Sequence, residues 1–158
     1  MNSSAPNDQP ELKLDLPAAH SAERMARAVL REFAKKKRMP AKEIETLEFV
    51  ASELLSNAVD HGGGDHAMEE SELPGDVRMS LALVVRADGW TMSVGDQGGG
   101  DPAEMRARIE SPDEPDLEDE RGRGFFLLAQ MLERIEVEKT ADGRGLLFTA
   151  VRKYAARR

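Results

Sequence analysis

Glu53-Leu54-Leu55-Ser56-Asn57-Ala58-Val59-Asp60-His61-Gly62 is the stretch whose reading decides the rest of the chain. As a helix it sets Glu53 and Asn57 four residues apart, one above the other on a single face. Asp60 continues that stripe, and Thr46, Phe49 and Val50 fall on it one and two turns earlier. The main apolar face, Ile44, Leu47, Ala51, Leu54 and Ala58, runs beside it, so the carboxylate and the carboxamide are expected to point into a crevice between helix and core. An acid-base group beside a neutral oxygen donor suits a magnesium–phosphate site, because a hard cation takes oxygen ligands and keeps several waters. The same residues also fit a partly solvated helix edge ending at Gly62, and the stretch alone does not separate the two.

Toward the N-terminus, Pro40 opens this helix, where its missing donor costs nothing, and Gly62 closes it. Ala22, Met25, Ala26, Val29, Leu30 and Phe33 mark an earlier helix of period 3.6. Lys35-Lys36-Lys37-Arg38 ends it, where cations complement the helix dipole; the run also fits a docking patch. Leu12, Leu14 and Leu16 alternate with charged residues as a short half-buried strand ended by Pro17. Residues 1–10 read as a disordered leader, residues 11–153 as one domain, and residues 154–158 as a basic tail.

Toward the C-terminus, residues 63–75 read as a loop. His61, Asp65 and His66 lack a matching metal-ligand spacing elsewhere. Val77, Met79, Leu81, Leu83 and Val85 alternate as a strand, Ala87-Asp88-Gly89 turns, and Trp90, Met92 and Val94 alternate back, an antiparallel hairpin. It runs into Gly95-Asp96-Gln97-Gly98-Gly99-Gly100. A short helix is expected over 102–110, and the stretch from Glu110 to Glu120, dense in Asp, Glu and Pro, can bury almost nothing. Arg121-Gly122-Arg123-Gly124 precedes helical spacing at Phe125, Leu128, Met131 and Leu132. Ile135 and Val137 read as a strand, Asp142-Gly143 as a turn, and Leu146 to Val151 as a final strand.

Composition narrows the class. The 158 residues suit one ordinary domain, and 40% hydrophobic with 33% charged residues gives a soluble chain with a real core. A net charge of -8 argues against a general nucleic-acid binder. The absence of cysteine excludes disulfides, thiolate metal sites and cysteine nucleophiles. No apolar run approaches the ~20 residues of a membrane span, and the first ten residues lack a signal core. A cytoplasmic protein is expected.

Two glycine-rich stretches carry further chemistry. Gly122-Arg123-Gly124 before a helix would let a ligand approach the backbone and meet the first free amides, a phosphate-binding arrangement to which Arg121 or Arg123 could add charge-assisted bonds. It equally fits a plain turn, and it is neither a P-loop nor a Rossmann fingerprint. Asp96, at the end of a central strand, can accept from an exocyclic amine such as adenine presents; an exposed turn carboxylate is the bland alternative.

Together, a helical Glu-x-x-x-Asn, a strand-end Asp-x-Gly-x-Gly, a Gly-x-Gly and a last hairpin, in that order, resemble the GHKL ATPase family, which includes gyrase and the histidine kinases. Glu53 to Gly62 matches the N-box, Asp96 to Gly100 the first glycine box, and Gly122 to Gly124 the second; the resemblance runs from Leu12 to Val151. It implies an α+β fold, a two-layer sandwich of helices and a mixed, mainly antiparallel sheet. The phrase Ser52-Glu53-Leu54-Leu55-Ser56-Asn57-Ala58-Val59-Asp60-His61-Gly62 is similar to the N-box of the bacterial anti-sigma-factor serine kinases of partner-switching systems. What that resemblance implies is ATP and Mg2+ as cofactors, Asn57 as the magnesium ligand, and Glu53 as the general base toward a partner's serine. It further implies Asp96 on the adenine amine, Gly98, Gly100, Gly122 and Gly124 around the phosphates, and residues 101–121 as a lid. The family often places a Thr directly after the glycine of the last hairpin; here that pair is Gly145-Leu146, and Thr149 comes three residues later.

The function so implied is a serine/threonine-protein kinase that phosphorylates an anti-sigma-factor antagonist, with a sigma factor as a second partner and a homodimer as a common assembly of the type. No nucleic acid or membrane is implied. A nucleotide-dependent binding module without kinase activity is the alternative. A histidine-kinase catalytic module fits less well, since no helix hairpin carries a phosphoacceptor; His20, His61 and His66 are badly placed for it.

Overall fold

A computed structural model describes residues 9–62, 78–110 and 120–154. The elements run in the order β1 (Leu12–Pro17), α1 (His20–Lys36), α2 (Ala41–Gly62), β2 (Arg78–Arg86), β3 (Gly89–Gly95), α3 (Pro102–Glu110), α4 (Glu120–Met131), β4 (Arg134–Lys139) and β5 (Leu146–Lys153). Five strands form one sheet in the order β1-β2-β3-β5-β4. All four pairings are antiparallel, in keeping with the expected α+β sandwich on a mainly antiparallel sheet. The reason is topological: β5 inserts between β3 and β4, so no two strands of the same direction become neighbours. The expected leader lies mostly outside the described residues, as do the 63–75 loop with Asp65 and His66, Val77, and residues 155–158 of the tail.

Strand alternation puts Met79, Leu81 and Leu83, Trp90, Met92 and Val94, and Phe148 and Ala150 on one buried face. The other face carries Ser80, Ala82, Ser93, Thr91, Thr149 and Val151, aligned across β2, β3 and β5 by register. The described helices lie on the buried face: α2 lies against β2, β3 and β5, α3 and α4 lie against β4, and α1 packs on α2 and reaches β1. Trp90 is buried in this core, and its Nε1 has no hydrogen-bond partner among the described residues.

α2 is the central helix. Leu47, Val50, Ala51, Leu54, Leu55, Ala58 and Val59 are all buried, a wider stripe than the one read from periodicity. Val50, assigned above to the polar stripe, belongs to the core, while Ile44 is half-buried. The physical cause is that α2 is covered by the sheet on one side and by α1 and α4 on others, so a narrow amphipathic stripe would leave apolar partners uncovered. α1 buries Ala22, Ala26, Leu30 and Ala34, and the three alanines among them let it lie close to α2.

The basic run after α1 is largely a helix end. Arg38 takes a left-handed backbone (φ 59), and the Met39 N–H donates to the Ala34 carbonyl at 3.1 Å, tucking Met39 into the core. Lys37 pairs with Glu11 ahead of β1 and stands over the Phe33 ring; its hydrogen bond holds the Glu11 carboxyl below the usual carboxylate range.

A partly buried ion pair ties the two ends of the chain together. Arg152 on β5 donates to both oxygens of Glu43 on α2 (2.8 and 3.0 Å) and to the Met131 carbonyl at the end of α4 (2.6 Å). One guanidinium therefore fastens α4 to α2 and to the sheet. Next to it, burial raises the Tyr154 phenol above its ordinary pKa, with the Glu43 charge adding to the effect.

Candidate active site

Asp96 follows the last residue of β3 and is 6% exposed, the one buried charged side chain among the described residues. Its Oδ1 accepts two main-chain amides, Gly98 N–H and Leu146 N–H, each at 3.0 Å. Its own N–H donates to the Leu146 carbonyl at 3.0 Å. Burying a carboxylate is costly unless its lone pairs are used, and here one oxygen is satisfied by the backbone. Oδ2 is left for a donor arriving from outside, which fits the exocyclic amine of an aminopurine.

The β4–β5 turn delivers these partners. The Thr140 hydroxyl donates to Asp142 Oδ1 at 2.6 Å, and Arg144 N–H adds a second bond at 2.9 Å; together they hold the Asp142 carboxyl below its ordinary pKa. Gly145 then passes so close to Asp96 that a β carbon there would land on the Asp96 carbonyl and 2.6 Å from Oδ1. Only glycine permits that approach. The Leu146 side chain lies over the glycine box, where a β carbon on Gly100 would sit 2.9 Å from Leu146 Cδ1. Gly145 and the Leu146 amide are site elements that sequence reading did not assign. The pairing Gly145-Leu146 marked the place, but a main-chain amide works through any side chain and leaves no residue signature. Thr149 lies on the face of the sheet away from the helices, paired with Ser93 and Glu136, and is no part of the site.

Behind the turn, Gln97 accepts the Arg78 N–H through Oε1 at 3.0 Å, and the Arg78 guanidinium bonds Asp15 on β1. A depression of about 430 Å3 opens here, with Asp15, Arg78, Ser80, Gly95, Asp96 and Thr140 in its lining. Asp15, Ser80 and Gly95 are register partners on the face of the sheet opposite the helices. This hollow therefore reaches Asp96 from that face, and Glu53 and Asn57 are not among its lining residues.

Glu53 and Asn57 lie one turn apart on α2, both partly buried. Across from them, Glu53 places its carboxylate against Gly124 of α4. Asp60, read as continuing the stripe, turns instead toward α1, where its Oδ1 is 3.3 Å from His20 Nε2. The Gly122-Arg123-Gly124 motif is corrected in one respect: it lies inside α4, which begins at Glu120, and not before the helix. Tertiary contact has overridden the poor helix propensity of two glycines. The side chains of Arg121 and Arg123 lie outside the described residues, as do residues 111–119 of the expected lid; α3 forms as expected over 102–110. Gly98 sits beside Asp96, and Gly100 beside the Leu146 side chain.

The layout is thus a buried acceptor at a strand end, an acid and an amide on the neighbouring helix, and a glycine-bearing helix start facing them. No group of three or more His, Asp or Glu suited to holding a metal ion by itself occurs among the described residues. A magnesium ion here would depend on Asn57, water and the oxygens of a bound nucleotide, which matches that ion's preference. No helix among the described residues is long and apolar enough to cross a membrane.

Comparison with known proteins identifies the family and the fold. The model of the histidine kinase-like ATPase domain matches residues 16–150. No curated protein matches the chain. Among solved structures, a chain of the SiaB–SiaC complex from Pseudomonas aeruginosa superposes with a TM-score of 0.65 at 16% identity, over 90% of this chain and 91% of that one. At that identity the likeness is one of fold. A family match that spans both the Glu53–Asn57 helix and the Asp96 turn, on a sheet-and-helix sandwich of the same kind, leads to one conclusion: the chain belongs to the histidine kinase-like ATPases of the GHKL superfamily and carries their ATP-binding fold.

Proposed function

We propose that the protein is a cytoplasmic serine/threonine-protein kinase of the anti-sigma-factor type, which uses ATP and Mg2+ to phosphorylate an antagonist protein and so regulates transcription by partner switching. The observation that carries the reading is the placement of Glu53: a carboxylate one turn before Asn57, aimed at the start of α4. Asp96 Oδ2 accepts the adenine amine while Oδ1 stays on its two amides. Asn57 offers its carboxamide oxygen to the cation. Gly122 and Gly124 leave the backbone of α4 open to the phosphates, with Arg121 and Arg123 as counter-charges. ATP supplies the phosphoryl group and Mg2+ neutralises its oxygens. Glu53 takes the proton of the partner's serine hydroxyl as that oxygen bonds to the γ-phosphorus and the bridging oxygen leaves with ADP. The occurrence of a similar fold in a two-protein complex supports a protein partner.

Glu53→Gln tests it. A serine hydroxyl is a poor nucleophile at neutral pH, and general-base help is worth ~10²–10⁴-fold. Glutamine keeps shape and reach but cannot take the proton, so antagonist phosphorylation followed with labelled ATP should fall at least ~10²-fold, with ATP affinity near normal. A wild-type protein that binds Mg–ATP and its antagonist yet transfers no phosphate would instead be a nucleotide-dependent binding module.

A further inference from the structure

Gly124 is buried and lies inside α4 (Glu120–Met131), where glycine weakens a helix relative to alanine. A β carbon built there would land on Glu53 Oε2, 3.1 Å from Glu53 Cδ and 3.7 Å from Oε1. All three nearest atoms belong to that one side chain, so the missing methyl group corresponds to a single carboxylate. We propose that Gly124 is a positioning residue, the seat of the Glu53 carboxylate, and that it makes the placement of the base depend on the register of α4 against α2. The role in transfer rests on the reading of Glu53 as the base.

The two helices differ in how they are held. α2 is locked by the buried row from Leu47 to Val59, so the Glu53 backbone has little freedom. α4 presents one small residue at this height. Sliding it by one turn would set Glu120 or Leu128 opposite Glu53, and neither leaves room for a carboxylate. The seated carboxylate also lies toward the positive half of the α4 dipole, which favours its charge. Glu53 is therefore in place only when α4 is in one register, and a base misplaced by about 1 Å can cost on the order of 10²-fold in rate.

The experiment is a pair of cycles. In wild type the added methyl displaces the carboxylate, so Gly124→Ala should leave Tm unchanged or lower it. In Glu53→Ala, the same substitution should raise Tm by about 2–4 °C, the ordinary gain of alanine over glycine in a helix. If Gly124→Ala alone fails to fold, recovery of folding in Glu53→Ala/Gly124→Ala supports the seat as well. A rise in both backgrounds, or an equal fall in both, overturns it. With Mg–ATP and the antagonist protein, Gly124→Ala should lower turnover more than it lowers ATP affinity. Glu53→Asp, one methylene shorter, should recover part of that loss, so that the double variant exceeds the product of the two single losses; no recovery refutes the positioning role. If wild type transfers no phosphate, the base reading falls and the Tm cycle alone decides the seat.

Discussion

The two ends of the candidate site, one proposed for the base and one proposed for the phosphates, are built from different materials. At the base end Asp96 is fastened by main-chain bonds to Gly98 and Leu146, at the edge of a five-stranded sheet, with Gly145 pressed against it. At the phosphate end Glu53 and Asn57 are partly buried side chains on one helix facing the start of another, and the second helix is held from its far end by Arg152. The first arrangement fixes an acceptor whose partners cannot change rotamer. The second lets relative motion of two helices change what the ligand meets. The proposed recognition of one base and transfer of a group would gain from that division: recognition wants rigidity, while transfer wants parts that can assemble around the substrate.

The largest effect should come from loosening the phosphate end at its anchor. Arg152→Ala strips Glu43, whose side chain is 12% exposed, of its bidentate partner and frees the Met131 carbonyl. Breaking such a pair costs more than the pair was worth, here about 3 kcal/mol, since some solvent still reaches the guanidinium. Urea unfolding should show it, and affinity for adenosine, which needs only the base end, should change less than affinity for ATP. An unchanged midpoint would mean that α4 is anchored elsewhere.

Next comes a direct break of the base end. Asparagine at 96 can keep its carbonyl on the two amides, which preserves the turn, but it then presents an NH2 to the adenine amine. Asp96→Asn should therefore fold and lose about 1–3 kcal/mol of binding, roughly 5–150-fold, to ATP and adenosine alike. Calorimetry showing wild-type affinity in a folded variant would remove Asp96 from the site.

The smallest effect is expected at Asn57. Magnesium keeps several waters, and one of them can replace a lost carboxamide oxygen. Asn57→Ala should leave magnesium-free adenosine binding nearly intact and shrink the magnesium-dependent gain in ATP affinity by no more than about tenfold, ~1.4 kcal/mol. An identical magnesium dependence in variant and wild type would take Asn57 out of the metal's coordination.

The same division marks what could be read from residues alone. Alternation of Met79, Leu81, Leu83 with Trp90, Met92, Val94 was enough for the β2–β3 hairpin, and the spacing Ala22, Ala26, Leu30 was enough for α1, because periodicity is a local property. Glu53 and Asp96 were legible as polar side chains in structured, otherwise apolar settings. Sheet order was not: nothing local says that β5 enters between β3 and β4. The burial of Val50, Leu55 and Val59 depends on α1, α4 and the sheet closing on α2 from several sides. Arg152 and Glu43 meet across 109 residues, and the place of Gly124 inside α4 depends on the Glu53 carboxylate packed against it, which no local pattern announces.

The core residue Trp90 has a practical consequence. It is the only tryptophan in the chain, it is 1% exposed, and it stands at the opposite end of β3 from Asp96, about 20 Å away at strand spacing. Its emission therefore reports whether the sheet and α2 are packed, and it is far enough from the base end not to sense a bound purine directly. The protein carries its own optical gauge of folding, separable from any signal of occupancy, so a variant that merely unfolds can be told from one that folds and no longer binds without attaching a label.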